Sequence, residues 1–320
     1  MWPALVPDTA GMPHAGKILV APAVRAALDE GRPVVALESS ATSAIGMPEP
    51  HRTETFLASL AAVRTQGAVP AVTAVLDGTP VVGVEEHRHA ELLAASHRVS
   101  LGSLPAAVAA GVDVGVTTVS AAVALAATVG IRWFATGGIG GVHRGADRTG
   151  DVSADLLAVS RFPVGVVCSG AKAFLDLART LQRLESLGVP VVGLGTDQFP
   201  AFWTGSSGLA IPAVDDDGAV AAVEVAAAFG HGAIVAVRPP SDHELDAATV
   251  AAAVERALGD DDLQGSTPRI LAEIARSTGG ATTRTNAALL IANAGHAARL
   301  ASLVGRLAAQ APDRSPLTDR

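Results

Sequence analysis

The chain has 320 residues, of which 49% are hydrophobic and 17% are charged. This composition predicts a compact globular protein with a sizeable core and excludes an intrinsically disordered chain. The formal net charge is −8 and no basic cluster occurs, so we do not expect the protein to bind nucleic acid.

The same composition indicates a compartment. The single cysteine, Cys168, excludes an internal disulfide framework and is typical of a reducing cytoplasm. The first residues lack the charged and continuous apolar segments of a signal peptide. Apolar stretches such as 121–129 are too short to span a bilayer. We therefore expect a cytoplasmic protein with no membrane partner.

Short apolar runs alternate with helical patterns along the chain. The runs predict buried strands at 34–37, 69–76, 131–135, 164–168, 191–194 and 233–237. Asp77-Gly78 predicts a hairpin turn after the second of them. The alternation predicts an α/β fold, a three-layer α/β/α sandwich around a mixed, mostly parallel sheet.

The chain shows no linker long enough to separate domains. We expect residues 17–310 to form a single α/β domain. Residues 1–16 are expected to form a flexible N-terminal arm, and residues 311–320 a disordered tail.

The first buried strand ends at a carboxylate, Glu38, followed by Ser39 and Ser40. A carboxylate at a strand end beside small hydroxyl residues is a candidate general acid or base. Such a carboxylate more commonly caps a helix or fixes a loop. The residues alone leave both roles open.

Two further positions before the centre of the chain suit an anion. Arg98 is either a surface residue or a fork for a phosphate group. Residues 116–120 lead into an alanine-rich helix. Hydroxyl groups and free N–H groups at a helix N-terminus suit a phosphate, and they also suit ordinary capping.

The centre of the sequence is a glycine-rich segment between two predicted strands. The strand 131–135 leads into glycines at positions 137 to 145, with His143 among them, and three aspartates at 147, 151 and 155 follow. The strand 164–168 then brings Ser169, Gly170 and Lys172 to the predicted start of a helix. Ligands of open α/β sheets bind at the carboxyl ends of strands, so we expect a site here.

Lys172 is the strongest candidate nucleophile. Lys17 and Lys172 are the only lysines in the sequence, whereas arginine is used almost everywhere else. A desolvated amine can attack a carbonyl and form a Schiff base, which a permanently protonated guanidinium cannot do. The alternative is a lysine that extends from a helix start to solvent.

Two nucleotide-binding motifs are excluded. Residues 165–172 are close to a P-loop, but Ala171 separates Gly170 from the lysine, and Ala173 stands where Ser or Thr would hold magnesium. The sequence Gly138-x-Gly140 lacks the third glycine of a dinucleotide fingerprint.

Three segments in this order, GGIGGVHRGA, DVSADL and VVCSGAK, resemble the pseudouridine-5'-phosphate glycosidase family. That family includes indigoidine-cluster proteins and C-glycosynthases of antibiotic pathways. The resemblance extends from about Pro22 to about Leu303. It implies a catalytic domain that makes or breaks a C-glycosidic bond at C1 of ribose 5-phosphate.

The resemblance also implies roles for individual residues. Lys172 would form a Schiff base and Glu38 would transfer protons. Asp151 matches the family's metal-binding aspartate, which implies one Mn²⁺ per subunit. The implied substrate-binding residues are Arg98, Val119, Thr136, His143, Ser153, Ala154, Asp155 and Asn286. The implied partners are ribose 5-phosphate and a planar ring, either uracil or a larger aromatic, and a homo-oligomer that is a trimer in the family.

Two segments depart from the family pattern. Ile45 stands where a histidine usually precedes Gly46, and the segment is one residue longer. Arg98 replaces a lysine, and Leu101-Gly102-Ser103 replaces an Arg-Asp pair. The sequence therefore leaves two directions open, cleavage of pseudouridine 5'-phosphate or C-glycoside synthesis in antibiotic biosynthesis. Retention of Glu38, Asp151 and Lys172 argues against a silent regulatory paralogue.

Overall fold

The computed structural model describes residues 17–259 and 267–310, with side chains up to residue 304. The predicted N-terminal arm, 1–16, and the predicted tail, 311–320, lie outside the described residues.

Within the described residues, eleven strands form one mixed sheet. They are β1 (Leu19–Val20), β2 (Val34–Leu37), β3 (Val69–Leu76), β4 (Thr79–Val82), β5 (His97–Val99), β6 (Val114–Thr117), β7 (Trp133–Ala135), β8 (Gly165–Cys168), β9 (Val191–Leu194), β10 (Ala213–Val214) and β11 (Ala233–Ala236). The strand order is β1-β4-β3-β2-β7-β8-β11-β9-β10, and β6 pairs with β3 and β5. All pairs are parallel except β3–β4 and β3–β6, which confirms the predicted mostly parallel sheet.

The helices cover both faces of this sheet. They are α1 (Pro22–Asp29), α2 (His51–Thr65), α3 (His89–Ala94), α4 (Leu104–Ala109), α5 (Val119–Thr128), α6 (Ala146–Thr149), α7 (Ala154–Arg161), α8 (Leu177–Ser186), α9 (Asp216–Ala228), α10 (Ala247–Leu258), α11 (Thr267–Ser277) and α12 (Ala281–Gln310). Short 3₁₀ turns occupy Ser40–Thr42 and Glu86–Arg88.

Strand β2 shows why the apolar runs are continuous. Val34 and Ala36 join one hydrophobic cluster with α5 and α7, whereas Val35 and Leu37 join a second cluster with α2, α9 and α12. Successive side chains of a strand point to opposite faces, so a strand covered on both faces needs apolar residues at every position. The two clusters are the two interfaces of the predicted three-layer sandwich.

Strand β3 changes partners along its length, and this change positions the site. Its first half pairs parallel with β2 at Leu37↔Val72, and its second half pairs antiparallel with β6 at Ala74↔Val116. The end of β6 therefore meets the end of β2. A buried hydroxyl cluster closes the junction, where the Ser39 hydroxyl donates to Thr73 O over 2.7 Å and accepts from the Thr117 N–H over 2.9 Å.

The turn after β3 is the predicted hairpin. Asp77 and Gly78 both have positive φ, 50° and 70°, and they connect β3 to β4. Two-residue hairpins of type I′ require positive φ at both central positions, which is why Asp-Gly predicts them.

Helix α12 is long and apolar. In the described part of the chain, Ala281–Val304 is one helix that could cross a membrane by length and composition alone. Leu289, Ala294 and Leu300 of this helix are buried in the two core clusters, and the helix packs along α2 and against β7 and β8. These contacts identify α12 as a core helix, a kind of helix that passes the same test.

Candidate active site

Two adjoining cavities open at the carboxyl ends of β2, β6, β7 and β8. We call the first, of about 690 Å³, the apolar compartment, because Ile45, Met47, Phe202, Leu271, Leu289 and Leu290 line it. We call the second, of about 700 Å³, the polar compartment, because Ser100, Ser120, His143, Asp151 and Ser153 line it. Arg98, Asp155 and Lys172 line both, so they lie at the boundary between the compartments.

All eleven residues implied by the resemblance line these two cavities. Glu38, Val119, Thr136 and Asn286 line the apolar compartment. The polar compartment receives His143, Asp151, Ser153 and Ala154. The sequence separates these residues by up to 248 positions, and the sheet brings them to one edge.

Lys172 lies in the loop after β8. Gly170 turns the chain with φ of 72°, and a Cβ there would lie 1.8 Å from Pro200 O, so the loop requires glycine. The Lys172 N–H then donates to Ile139 O over 3.1 Å, which ties this loop to the glycine-rich loop. Helix α8 begins at Leu177, so the prediction that Lys172 lies at a helix start is wrong. Phe174 and Leu175 of the same loop are buried in the core, and the chain becomes helical only after the Asp176 cap.

The Lys172 amine faces the cavities without a protein partner. Among the described residues, no ion pair and no side-chain hydrogen bond involves its Nζ. The side chain is half-buried, so the amine is partly desolvated at the boundary of the two compartments. This placement suits a nucleophile better than a structural ion pair.

Glu38 lies directly after β2 and is held by two hydroxyl groups. The Thr136 Oγ1 donates to its Oε1 over 2.5 Å, and the Ser40 Oγ donates to its Oε2 over 2.6 Å. Burial raises the pKa of the Glu38 carboxyl, and the charge of Lys172 and the two hydrogen bonds oppose this rise. A carboxyl with a raised pKa can donate a proton nearer to neutral pH than an ordinary one.

Asp155 holds two backbone segments together. Its Oδ2 accepts from the Gly140 N–H over 2.8 Å, and its Oδ1 accepts from the Ser120 N–H over 3.0 Å. A Cβ at position 140 would lie 2.2 Å from the Ser153 hydroxyl oxygen, so the close approach requires glycine. Both carboxylate oxygens are engaged, so Asp155 fixes the glycine-rich loop against the N-terminus of α5.

The polar compartment combines cationic and hydroxyl groups. Arg98 extends from β5, and Ser153 caps α7 by accepting from the Asp155 N–H. The pKa of His143 is lowered, mainly by burial, with further lowering by Lys172 and Arg98, whereas Asp151 opposes the change. These groups suit an anionic, hydroxyl-rich ligand.

Asp151 is the one predicted metal ligand. Its carboxylate is 45% exposed and lies 3.6 Å from His143 Nδ1. Within residues 17–259 and 267–304, no cluster of three His, Cys, Asp or Glu side chains could hold a metal ion. This donor set fits a hard divalent cation that keeps most of its waters and binds through one carboxylate. It does not fit a zinc site, which would use several nitrogen or sulfur ligands.

Asn286 is oriented by a tryptophan. Trp203 is fully buried, and its Nε1–H donates to Asn286 Oδ1 over 2.6 Å. An indole N–H can only donate, so the Asn286 carboxamide presents its NH₂ group elsewhere. Since Asn286 lines the apolar compartment, that NH₂ is its available donor.

Thr285 is not the predicted helix cap. Helix α12 begins four residues earlier, at Ala281, and the Thr285 hydroxyl donates to His243 O and Ala281 O. The glycines at positions 279 and 280, both with positive φ, separate α11 from α12 and fix the earlier start.

Sequence reasoning missed several residues of the site. Phe202, which has φ of 65°, lines the apolar compartment, and Trp203 orients Asn286. Asn293 lies seven residues after Asn286, on the same side of α12, and is 1% exposed. An asparagine at heptad spacing on an apolar helix face was the available signal for Asn293.

The comparisons with known proteins identify the family of the chain. A family model described as "Indigoidine synthase A like protein" matches residues 23–303. Pseudouridine-5'-phosphate glycosidases of Methylobacterium nodulans and Chloroflexus aurantiacus are 47% and 45% identical to this chain, over 91% and 90% of it and 88% and 99% of their own lengths.

Two solved structures share the fold. The prealnumycin C-glycosynthase AlnA, in complex with ribulose 5-phosphate, has a TM-score of 0.83 and 32% identity, and the match covers 92% of this chain and 99% of that one. An indigoidine synthase A-like protein from Thermotoga maritima has a TM-score of 0.81 and 29% identity, over 90% of this chain and 96% of that one.

Proposed function

The chain belongs to the indigoidine synthase A-like family, and from this premise we propose that it hydrolyses the C-glycosidic bond of pseudouridine 5'-phosphate to uracil and ribose 5-phosphate. The predicted family is thereby confirmed, and its closely similar glycosidase relatives support the cleavage direction. The observation on which the proposal rests is the position of Lys172 between a polar and an apolar compartment. If the sugar phosphate occupies the polar compartment and the ring occupies the apolar one, the bond between them lies beside Lys172.

The polar compartment would bind the sugar phosphate. Arg98 offers a guanidinium fork for the phosphate group. Val119 is the first residue of α5, where backbone N–H groups and the positive end of the helix dipole favour an anion. His143 and Ser153 would contact sugar hydroxyl groups.

Chemistry at C1 requires an electron sink. In the proposed reaction the Lys172 amine bonds to C1 while the bond between C1 and the ring oxygen breaks, and the ring oxygen keeps that electron pair and takes up the proton that the amine loses. Glu38 protonates the ring carbon that leaves, and the electron pair of the carbon–carbon bond goes to the departing uracil. The lysine nitrogen supplies its lone pair, so an imine of ribose 5-phosphate remains on Lys172. Water then hydrolyses the imine and frees the amine.

The apolar compartment would bind the base. The Asn286 NH₂ group would donate to a carbonyl oxygen of uracil, and Thr136 holds Glu38 beside the ring. Buried polar groups that pair with one substrate reject analogues that leave them unpaired.

We also propose a divalent metal and an oligomer for this protein. Asp151 would hold one Mn²⁺ in the polar compartment. When bound, the cation would neutralise phosphate charge and leave the chemistry at C1 to the side chains. A homotrimer is proposed from the family resemblance, and light scattering of the purified protein tests it.

C-glycoside synthesis is the second candidate. The apolar compartment is more apolar than a uracil site needs, because its lining includes Ile45, Met47, Phe202, Leu289 and Leu290. Such a lining suits a larger aromatic acceptor. The C-glycosynthase AlnA is a relative at 32% identity, lower than the 47% of the glycosidase of Methylobacterium nodulans, so cleavage remains the main proposal.

One incubation tests the proposal. Purified protein with pseudouridine 5'-phosphate and Mn²⁺ should release free uracil, measured by liquid chromatography, and Lys172→Arg should release none. Absence of uracil, together with joining of ribose 5-phosphate to an aromatic acceptor, would overturn cleavage in favour of synthesis.

A further inference from the structure

Asn293 is a polar side chain within the apolar packing of α12. It is 1% exposed, and Leu289, Ala294 and Ala297 around it are fully buried. Its Nδ2 donates to Thr136 O over 2.9 Å, to Ser169 Oγ over 3.1 Å and, more weakly, to Gly137 O over 3.4 Å. Thr136 follows β7 and Ser169 follows β8. One carboxamide therefore connects α12 to the carboxyl ends of two neighbouring strands.

Each of these strand ends leads directly to a proposed catalytic group. The Thr136 hydroxyl donates to Glu38 Oε1 over 2.5 Å. Ser169 precedes Lys172 by three residues, and its N–H donates to Gly137 O over 2.8 Å. Asn293 itself lines neither compartment. On one side it contacts Thr136, which lines the apolar compartment, and on the other side it contacts Ser169, which leads to Lys172.

The chemistry of the carboxamide explains why a donor is needed at this place. Among the described residues, Thr136 O has Asn293 Nδ2 as its hydrogen-bond donor, and a buried carbonyl without a donor is costly. The Asn293 Oδ1 has no donor within the described protein. The NH₂ group of Asn293 therefore donates to the strand ends, whereas its own oxygen accepts no hydrogen bond from the described residues.

We propose that Asn293 is a positioning residue, which sets the placement of Glu38 relative to Lys172 by holding the ends of β7 and β8. The inference rests on the proposed function, in which those two residues perform the reaction. Asn293 acts through Thr136 and Ser169 and does not touch the substrate.

Loss of the Asn293 donor has a defined electrostatic consequence. The charged groups that face Glu38 are Lys172 and Asp155, and its hydroxyl donors are Ser40 and Thr136. A hydrogen bond to a carboxylate favours the ionised form. If Thr136 shifts away, Glu38 loses one donor, and the pKa of its carboxyl rises above the value in the native protein.

Two variants test the proposal kinetically. Asn293→Leu keeps the approximate volume, and Asn293→Asp keeps the shape but cannot donate from its carboxylate. With pseudouridine 5'-phosphate as substrate, kcat should fall by roughly ten- to a hundredfold, the size expected when reacting groups are misplaced, while KM changes little. Thr136→Val should give a loss of the same kind. The double variant Asn293→Leu/Thr136→Val should lose less than the product of the two single losses, because part of the effect of Asn293 acts through Thr136.

Leu300→Ala is the matched control. Leu300 is fully buried on the same helix and lies outside both compartments. It should lower the unfolding midpoint, as a core truncation does, and leave kcat per folded molecule unchanged.

A measurement without substrate separates this inference from the proposed function. Carbon-13 NMR of glutamate-labelled protein, with Glu38 assigned by its loss in Glu38→Gln, follows the titration of that carboxyl. We expect the Glu38 titration to move to higher pH in Asn293→Leu and in Asn293→Asp, and not in Leu300→Ala. An unchanged titration with a kcat loss no larger than that of Leu300→Ala would overturn the positioning role. Failure of the native protein to release uracil would overturn the proposed function and leave the titration result to be judged separately.

Discussion

Replacement of Trp203 by phenylalanine tests how Asn286 is oriented. The indole is fully buried, and its only polar group donates to Asn286 Oδ1 over 2.6 Å. Phenylalanine keeps an aromatic ring in the core but removes this donor. We expect the Asn286 carboxamide to lose its fixed orientation, so that its NH₂ group no longer points constantly into the apolar compartment.

The expected magnitude follows from the single bond that is lost. A protein hydrogen bond contributes about 1 kcal/mol net, and leaving a buried acceptor unpaired costs about 1–3 kcal/mol. If half or more of that loss falls on the bound state, KM for pseudouridine 5'-phosphate rises about fivefold, since 1.4 kcal/mol corresponds to a factor of ten. The kcat should change less, because Trp203 lines neither compartment and, among the described residues, its indole N–H donates to Asn286 and not to Glu38.

The chain offers a matched control in Trp133. This tryptophan is 2% exposed on β7, its Nε1 has no partner among the described residues, and it lies outside both compartments. Trp133→Phe therefore removes a similar volume without removing a hydrogen bond. The difference between the two variants in free energy of unfolding, measured by urea titration, should be about 1 kcal/mol or more.

Steady-state kinetics on both variants decide the outcome. Trp203→Phe should raise KM, Trp133→Phe should leave it unchanged, and Trp203→Phe should have no further effect in an Asn286→Ala background. Equal KM values in the two tryptophan variants would refute the assigned orientation of Asn286. An additive effect in the Asn286→Ala background would show that Trp203 acts by another route.

Three further predictions concern the reacting groups. Borohydride reduction in the presence of ribose 5-phosphate should add mass to the peptide that contains Lys172, and Lys172→Arg should remain unmodified because a guanidinium stays protonated; an unmodified native peptide contradicts the Schiff base. Chelation should abolish turnover and Mn²⁺ should restore it, and Asp151→Asn should need a much higher Mn²⁺ concentration because it lacks the carboxylate; a normal metal titration in that variant would remove Asp151 as the ligand. Turnover should fall as pH rises through the raised pKa of Glu38, because the protonated carboxyl donates, and Thr136→Val should move this fall to higher pH by removing a bond that favours the carboxylate; a move to lower pH would mean that Glu38 acts as a base.

The fold was predictable where local pattern and burial agree. Strands β3 and β9 have the predicted bounds, because each is an apolar run that ends at a glycine or a turn. Strands β1 and β10 are two residues long and lie at the edges of the sheet, where so short a segment has no periodicity to detect. The start of α12 was misplaced because Thr285 has the side chain of a typical helix cap, whereas its hydroxyl donates to the carbonyl of His243, which is distant in the sequence.

The site was predictable to the extent that its residues follow strand ends. Glu38 directly follows β2, Thr136 directly follows β7, and Lys172 lies four residues after the end of β8. Parallel strands bring such positions to one edge of the sheet. Asn293 and Trp203 act through contacts with residues more than eighty positions away in the sequence, over separations of 157 and 83 positions. The spacing of Asn293 from Asn286 indicates a residue of interest, but no local pattern records a partner at such a distance, so the contacts of these two residues emerge only from the structure.

The meeting of β2 and β6 explains why the polar compartment lies beside Glu38. Helix α5 follows β6, and in a purely parallel sheet β6 would run in the same direction as β3. Strand β6 instead runs antiparallel to β3, and the pair Ala74↔Val116 brings its end back to the end of β2. The N-terminus of α5 then reaches Asp155, which binds Ser120 and Gly140 at once. The proposed phosphate site and the proposed proton donor are therefore brought together by the change of partner along β3, and substitutions that disturb Thr73 or Thr117 should affect both.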